Sequence, residues 1–520
     1  MDTSSLWLVA PQALALGIPV ALWFGALLSR PAAPFKRATL ATSVSIVLAA
    51  LVAGCVVVAP CSLAGSLGTA AVRVDAITGA MLLLVCALGL VIVRYSRTYL
   101  DGDPGQLRYA RWLQATLGAV TALVVANNLL VIAVAWTLTS VALHKLLTFY
   151  GDRPAALVAA HKKFLVSRLA DVCLWSALAL LYDSVGSLNL DALADWATVH
   201  PELPPAVQLA AVLCVVAAAL KSAQLPFHGW LTQVMEAPTP VSALLHAGVV
   251  NLGGFLMIRL APVMAHAPSA QLLLVVVGMT TTVIAAMVTT TRVSVKVALA
   301  WSTCAQMGFM LVECGLGAWH LAFLHLLAHS LYKAHAFLGA GSAVEGWRSN
   351  RSARRPATPA LSRLGVSAAV VFGAALMVVL APSTMLFAAI VVLALVSMVV
   401  QGAESTAAVA LRAVGVGALY AGWHWAAARA FAVPAQADTS TIAWTVAAVG
   451  LAALFGAQAL VQLRPQGRSS QRLHTWLFAG LYLDERFTRL TFRVWPPRLT
   501  AATSARAAVF ATAITSEETP

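Results

Sequence analysis

A lysine that closes an apolar run, and a histidine pair and lysine spaced four apart, are the residues in this sequence with the clearest chemistry. Lys221 ends the apolar stretch of AALKSAQLPFHGWL, and Pro226 follows little more than one helical turn later. Proline removes a backbone donor and cannot continue the ladder, so a broken helix is predicted there. An amine beside freed carbonyls in a broken helix is a recurrent ion site of membrane transporters. His228 lies in the same segment, Glu236 just beyond it, and His246 in SALLHAGVV after Pro238 and Pro240. In HLAFLHLLAHSLYKAHAFLGAG, the residues His325, His329 and Lys333 share one helical face. Imidazole titrates near neutrality, and a lysine amine taken out of water gives up its proton readily, so this stripe suits proton transfer along a chain of waters.

Four further groups interrupt apolar runs. Arg168 and Asp171 are three apart and can pair on one helix; Asp75 opens one run and Lys296 another. Each has a plain structural reading as well. A buried histidine is often a hydrogen-bonded packing residue, Arg168 with Asp171 a structural ion pair, and Asp75 or Lys296 an interfacial charge. Lys221, His246, His325, His329 and Lys333 crowd into a short stretch, and that density favours a pathway. A charge at the centre of a membrane helix costs about 2.5–3.5 kcal/mol on insertion scales, so five of them need a reason.

The elements that must hold these groups are transmembrane helices. Of 520 residues, 60% are apolar and only 10% charged, which excludes a soluble fold of this length and excludes disorder. Long continuous apolar runs also exclude an outer-membrane barrel. The reading is an all-α polytopic bundle of about 13–15 spans, the seventh broken after Lys221. The boundary between the fourth and fifth spans falls at Ala126, Asn127 and Asn128. Four regions are expected: N-terminal spans 1–69, a core 70–345, C-terminal spans 346–463, and a basic amphipathic tail 464–520.

The net charge is +14, from 33 Lys and Arg against 19 Asp and Glu. In a membrane protein that excess reflects cytoplasmic loops rather than nucleic acid. Arg30, Lys36, Arg37, Arg94, Arg97, Arg108, Arg111, Arg153, Lys162, Lys163, Arg292 and the arginines from Arg348 to Arg363 all fall in odd-numbered loops. The N-terminus is therefore expected outside and the C-terminus in the cytoplasm. Seven scattered cysteines show no metal spacing, so no cofactor is expected in this chain. The tail interleaves arginines with Trp476, Phe478, Tyr482, Phe487, Phe492 and Trp495, a pattern that suits the lipid interface or a docking partner.

At these residues a resemblance emerges. KSAQLPFHGWLTQVMEAPTPVSALLHAG (Lys221 to Gly248) and HLLAHSLYKAHAFLGAGS (His325 to Ser342) resemble the antiporter-like subunits of respiratory complex I and Mrp cation/proton antiporters. Weaker matches are YSRTYLDGD, FLVSRLAD and VKVALAWSTCAQMG. The resemblance implies that Lys221 and His246 translocate protons together with His325, His329 and Lys333, and that Arg168 and Asp171 form the family's ion pair. The family's fifth-helix Trp-Glu stands here as Trp136-Thr137, its Asp-x-Lys as Ser294-Val295-Lys296, and its Pro-Asp as Thr232-Gln233. These departures and the shortened C-terminal half resemble the DabB branch, membrane subunits of inorganic-carbon accumulation complexes in the bacterial inner membrane. That branch implies a large soluble cytoplasmic partner, a DabA-like zinc subunit, which hydrates CO2 to bicarbonate when protons or Na+ flow inward. The chain is then a transporter subunit rather than an enzyme. The other readings are a proton-translocating subunit of a complex I-like oxidoreductase, an Mrp-type Na+/H+ antiporter subunit, and a passive anchor.

Overall fold

The computed structural model describes residues 3–58, 72–342, 440–463 and 466–496, with a few helical positions between 415 and 426. Two compact units divide the chain, Met1–Ala340 with Pro434–Pro520, and Gly341–Val433. The spans expected near 364–382, 384–402 and 411–431 lie outside the described residues, apart from those few positions.

Long apolar runs bounded by Pro, Asn, Asp and Gly fold into helices because nothing within them competes for the backbone. The bundle runs α1 (Thr3–Leu28), α2 (Pro34–Val58), α3 (Ala76–Tyr99), α4 (Gln106–Val125), α5 (Leu129–Leu147) and α6 (Pro154–Val185). A short helix α7 (Leu190–Val199) leads into α8 (Pro205–Lys221), the seventh span. Then come α9 (Gly229–Thr232), α10 (Thr239–Ala247), α11 (Leu252–Arg259), α12 (Ala261–Met264), α13 (Pro268–Thr289), α14 (Val295–Gly315) and α15 (Trp319–Leu338). The last elements are α16 (Thr441–Leu463), α17 (Arg468–Phe478) and α18 (Leu483–Val494). Among the described residues nine helices are long and apolar enough to cross a bilayer, so the protein is multi-pass. Phe24, Leu27, Leu40 and Val57 on α1 and α2 face outward, as lipid-facing side chains do.

The fourth and fifth spans separate where the sequence placed the boundary. Asn128 caps α5 by accepting from Leu130 N at 2.8 Å, and Ala126 and Asn128 pair in isolated bridges with Val72 and Asn189. The break after α8 is equally local. Ser222 N donates to Ala218 O at 2.9 Å, and Ala223 then takes a positive φ of 53°. A left-handed alanine costs about 1–2 kcal/mol, so the surroundings must hold the turn. They do so through Gly253 of α11, where a Cβ would sit 2.2 Å from Ser222 Oγ and 2.5 Å from Ala218 O. Only glycine admits that approach.

The eighth span, expected as one helix, is also interrupted. Directly after His246, Ala247 and Gly248 give way to a 3-10 turn, Val249–Asn251, before α11 resumes. Asn251 Nδ2 donates to Ala247 O at 3.1 Å and to Ser330 Oγ at 2.7 Å, which satisfies the freed carbonyl and ties the break to α15.

At the opposite end of α11, Arg259 is buried and donates to Asp75 Oδ2 at 2.6 Å, while Arg73 reaches the same oxygen at 2.8 Å. Burial alone would raise the Asp75 carboxyl, but Arg259 and Arg73 together hold it well below the usual carboxylate range. A depressed folded value means the pair stabilises above the unfolded carboxylate value and is lost as pH falls toward the folded one. Asp75→Asn leaves Arg259 buried without its counter-charge, a loss on the order of 3–5 kcal/mol. Thermal unfolding in detergent should show a midpoint several degrees lower; an unchanged midpoint would mean that water takes over the guanidinium.

Candidate ion-pathway site

Two clusters of buried ionisable groups form inside the bundle. The first surrounds the α8 break. The Lys221 ammonium donates to Ser140 Oγ at 2.8 Å and to Trp136 O at 3.3 Å, and it lies 4.4 Å from the Trp136 ring centroid. Ser140 also receives Lys163 Nζ on its carbonyl at 2.6 Å. Arg168 and Asp171 pair at 2.7 Å on α6, with Asp171 close enough to act electrostatically on Lys221 and Lys163. Thr137 stands beside Asp171. Hydroxyl, carbonyl and aromatic face therefore surround the lysine, and the acid in the cluster is engaged by arginine.

The second cluster lies between α10, α14 and α15. His246 stacks on Phe337 at 4.2 Å and meets Thr303 Oγ1 at 3.2 Å through Nδ1. Lys333 donates to Leu299 O at 3.1 Å and to the Ser302 hydroxyl. His325 Nδ1 pairs with Glu313 Oε2 at 2.9 Å, and the His325 and His329 rings lie 6.2 Å apart. His246 Nε2 and both nitrogens of His329 are buried without a hydrogen-bond partner among the described residues. Unpaired polar atoms along one face are where bridging waters bind. The stripe of His325, His329 and Lys333 thus ends on a carboxylate, Glu313, an acid within an apolar run that the sequence pattern does not single out.

The other predicted residues stand apart from these clusters. His228 is fully buried with its ring 4.7 Å from that of Trp301, near the tail. Lys296, at the start of α14, donates to Thr239 Oγ1 at 2.9 Å and pins the first turn of α10. Glu236 pairs with Arg153 at 2.9 Å, both half-exposed, and belongs to the surface.

One expectation needs correction. The charge pattern assigns Lys162 and Lys163 to a loop, yet both are buried in α6. Pro154 starts that helix ten residues before the apolar run, and its 32 residues span about 48 Å, longer than a bilayer core. The tail is expected at the lipid interface or on a partner; its described part, 466–496, turns one face onto its own core and leaves arginines exposed on the other. Asp484 and Thr488 of α18 accept from Lys162 Nζ at 2.6 and 2.5 Å. Phe487 meets Phe227 edge-on at 5.5 Å, Trp495 stacks on His161 at 4.0 Å, and Arg292 donates to the carbonyls of Leu477 and Phe478.

Broken helices, buried lysines and an imidazole stripe in one bundle define an antiporter-like membrane subunit. A family profile described as NADH:quinone oxidoreductase/Mrp antiporter, transmembrane, matches residues 126–414, and one for the N-terminus of complex I chain 5 matches residues 68–110. The chain belongs to this family of antiporter-like membrane subunits. It is 41% identical over 434 residues to a protein of Hydrogenovibrio crunogenus described as probable inorganic carbon transporter subunit DabB, covering 81% of this chain and 82% of that one. It is 35% identical over 290 residues to NADH-quinone oxidoreductase subunit L of Mycobacterium tuberculosis, covering 54% of this chain and 45% of that one. Among solved structures, the Mrp complex from Dietzia sp. DQ12-45-1b is similar, with a TM-score of 0.53 and 26% identity over 98% of this chain and 60% of that one.

Proposed function

We propose that this chain is the membrane subunit of an energy-coupled inorganic-carbon accumulation complex. It admits protons or Na+ into the cell, and that flow drives hydration of CO2 to bicarbonate by a soluble zinc-containing partner of the DabA kind. The carrying observation is the setting of Lys221. A buried ammonium held by Ser140, Trp136 O and the Trp136 ring has no carboxylate in contact among the described residues, where the acid of the family's Trp-Glu is Thr137. A buried lysine without a directly bound counter-charge can give up its proton, which suits a relay. The likeness to a DabB subunit over most of both chains supports the carbon-accumulation reading.

The oxidoreductase or antiporter reading is favoured by the shorter match to the complex I subunit, which spans about half of this chain, and by the likeness to the Mrp complex, of which this chain covers 60%. The orientation read from the loops puts the tail in the cytoplasm of a bacterium, with the first residue outside the inner membrane. That places the tail's outer arginines where a soluble partner arrives. Arg472, Arg486, Arg489 and Arg493 are exposed, and guanidinium pairs with carboxylates in bidentate fashion.

The test is growth of a host that lacks carbonic anhydrase and cannot grow in air. Expressing this chain with its soluble partner should restore growth, and neither protein alone should. Changing Arg472, Arg486, Arg489 and Arg493 to glutamate should release the partner into the soluble fraction and abolish growth in air, while high CO2 restores it. Undiminished co-purification would show that the partner docks elsewhere.

A further inference from the structure

Lys162 is the most enclosed cation on the tail side of the bundle, and its acid comes from 322 residues away. Its Nζ donates to Asp484 Oδ2 at 2.6 Å, Gln233 Oε1 at 2.8 Å and Thr488 Oγ1 at 2.5 Å. Gln233 Nε2 donates to the same Asp484 oxygen at 2.6 Å. Asp484 Oδ1 is buried and has no hydrogen-bond partner among the described residues. That oxygen fills the hollow left by Gly229, where a Cβ would sit 1.6 Å from it. A buried carboxylate oxygen without a donor is costly to keep, and a structural latch would satisfy it.

Further titratable groups lie on the same elements. Lys163 follows Lys162 on α6 and reaches Ser140, whose hydroxyl holds Lys221. His228 lies close enough to Asp484 to feel its charge, and His161 sits under Trp495 on the same helix as Lys162. On the far side of Asp484, α18 opens to solvent through exposed Glu485, Arg486 and Arg489.

We propose that Asp484 is the proton acceptor and donor at the tail-side mouth of the pathway, so that the tail is a working part of the ion route. The Lys162 ammonium passes a proton to the Asp484 carboxylate and becomes a neutral amine; the carboxylic acid then releases that proton to water and returns to carboxylate. One proton moves and no other bond changes. The inference rests on the proton-conduction reading above.

The experiment is proton flux into liposomes holding the complete complex, read by an enclosed pH-sensitive dye, with resistance of the arginine-rich tail to trypsin as the readout of docking. Asparagine can still accept from Lys162 but cannot carry a proton. Asp484→Asn should therefore lower flux at least tenfold while the tail stays protected. Wild-type flux in this variant, beside loss of flux in Lys221→Ala, would overturn the role of Asp484 and leave the conduction reading standing. Full flux in Lys221→Ala would remove the conduction reading itself. If the asparagine variant exposes the tail to trypsin, Asp484→Ala with formate replaces it. Flux restored by formate supports the relay, and flux that no formate concentration restores overturns it.

Discussion

Lys221→Ala is expected to abolish ion flux through the complex while the protein still inserts in the membrane at normal yield. The ammonium donates to Ser140 Oγ and Trp136 O inside a fully enclosed site, and the neighbouring Lys163 amine is engaged by the Ser140 carbonyl rather than by its hydroxyl. Loss of a positioned acid–base group costs about two to four orders of magnitude in rate. Lys221→Arg should fail as well, because guanidinium keeps its proton at any relevant pH and needs more room than the Ser140 contact leaves. The two variants are read together. A packing role predicts that arginine is partly tolerated and alanine is not, whereas a relay predicts that both are inactive. Full activity in the arginine variant would remove the relay role from Lys221.

The second large effect is expected along α15. Lys333 reaches Leu299 O and Ser302, His329 stands between, and His325 ends on Glu313. If these groups serve one route, cutting any link stops it. His325→Ala, His329→Ala, Lys333→Ala and Glu313→Gln should each lower flux by about ten- to a hundredfold, and pairs of them should do little more than either alone, as groups acting as a unit behave. Glu313→Gln is the most informative of the four, because it keeps the shape and a hydrogen bond to His325 while removing the charge. Mild losses that add would return the stripe to a packing role.

Much of this site is legible in the sequence because charge inside an apolar run is conspicuous. Lys221 and Pro226 mark the break, the four-residue spacing marks the α15 face, and Arg168 with Asp171 marks the α6 pair. The remainder is hidden for a physical reason. Lys162 and Lys163 lie between Arg153 and the start of an apolar run, so counting charges places them in a loop. Their burial depends on Asp484, Gln233 and Ser140, which only the folded chain brings near. Asp484 is one acid in a basic segment, and nothing in its neighbours tells that it faces inward. The arginines around it suggested a docking surface, and the exposed ones keep that reading, while Asp484, Phe487 and Trp495 turn the other face onto the core. The interruption of the eighth span is not legible in the sequence because Gly248 is an ordinary residue in a membrane helix. Its effect here appears only where Asn251 takes up the freed Ala247 carbonyl.

The tail therefore has two faces with separate consequences. Removing it whole would strip Asp484 from Lys162 as well as any partner from the arginines, so the two roles are resolved only by changing one face at a time. Charge reversal at Arg472, Arg486, Arg489 and Arg493 addresses the outer face, and Asp484→Asn the inner one.

The most direct measurement is uptake of labelled inorganic carbon by cells that lack carbonic anhydrase and express this chain with its soluble partner, with and without a protonophore. The account predicts accumulation well above that of control cells, collapse of that accumulation when the protonophore or a sodium ionophore removes the driving gradient, and the same collapse in Lys221→Ala. Accumulation that persists without any ion gradient, or that is undiminished in Lys221→Ala, would contradict it.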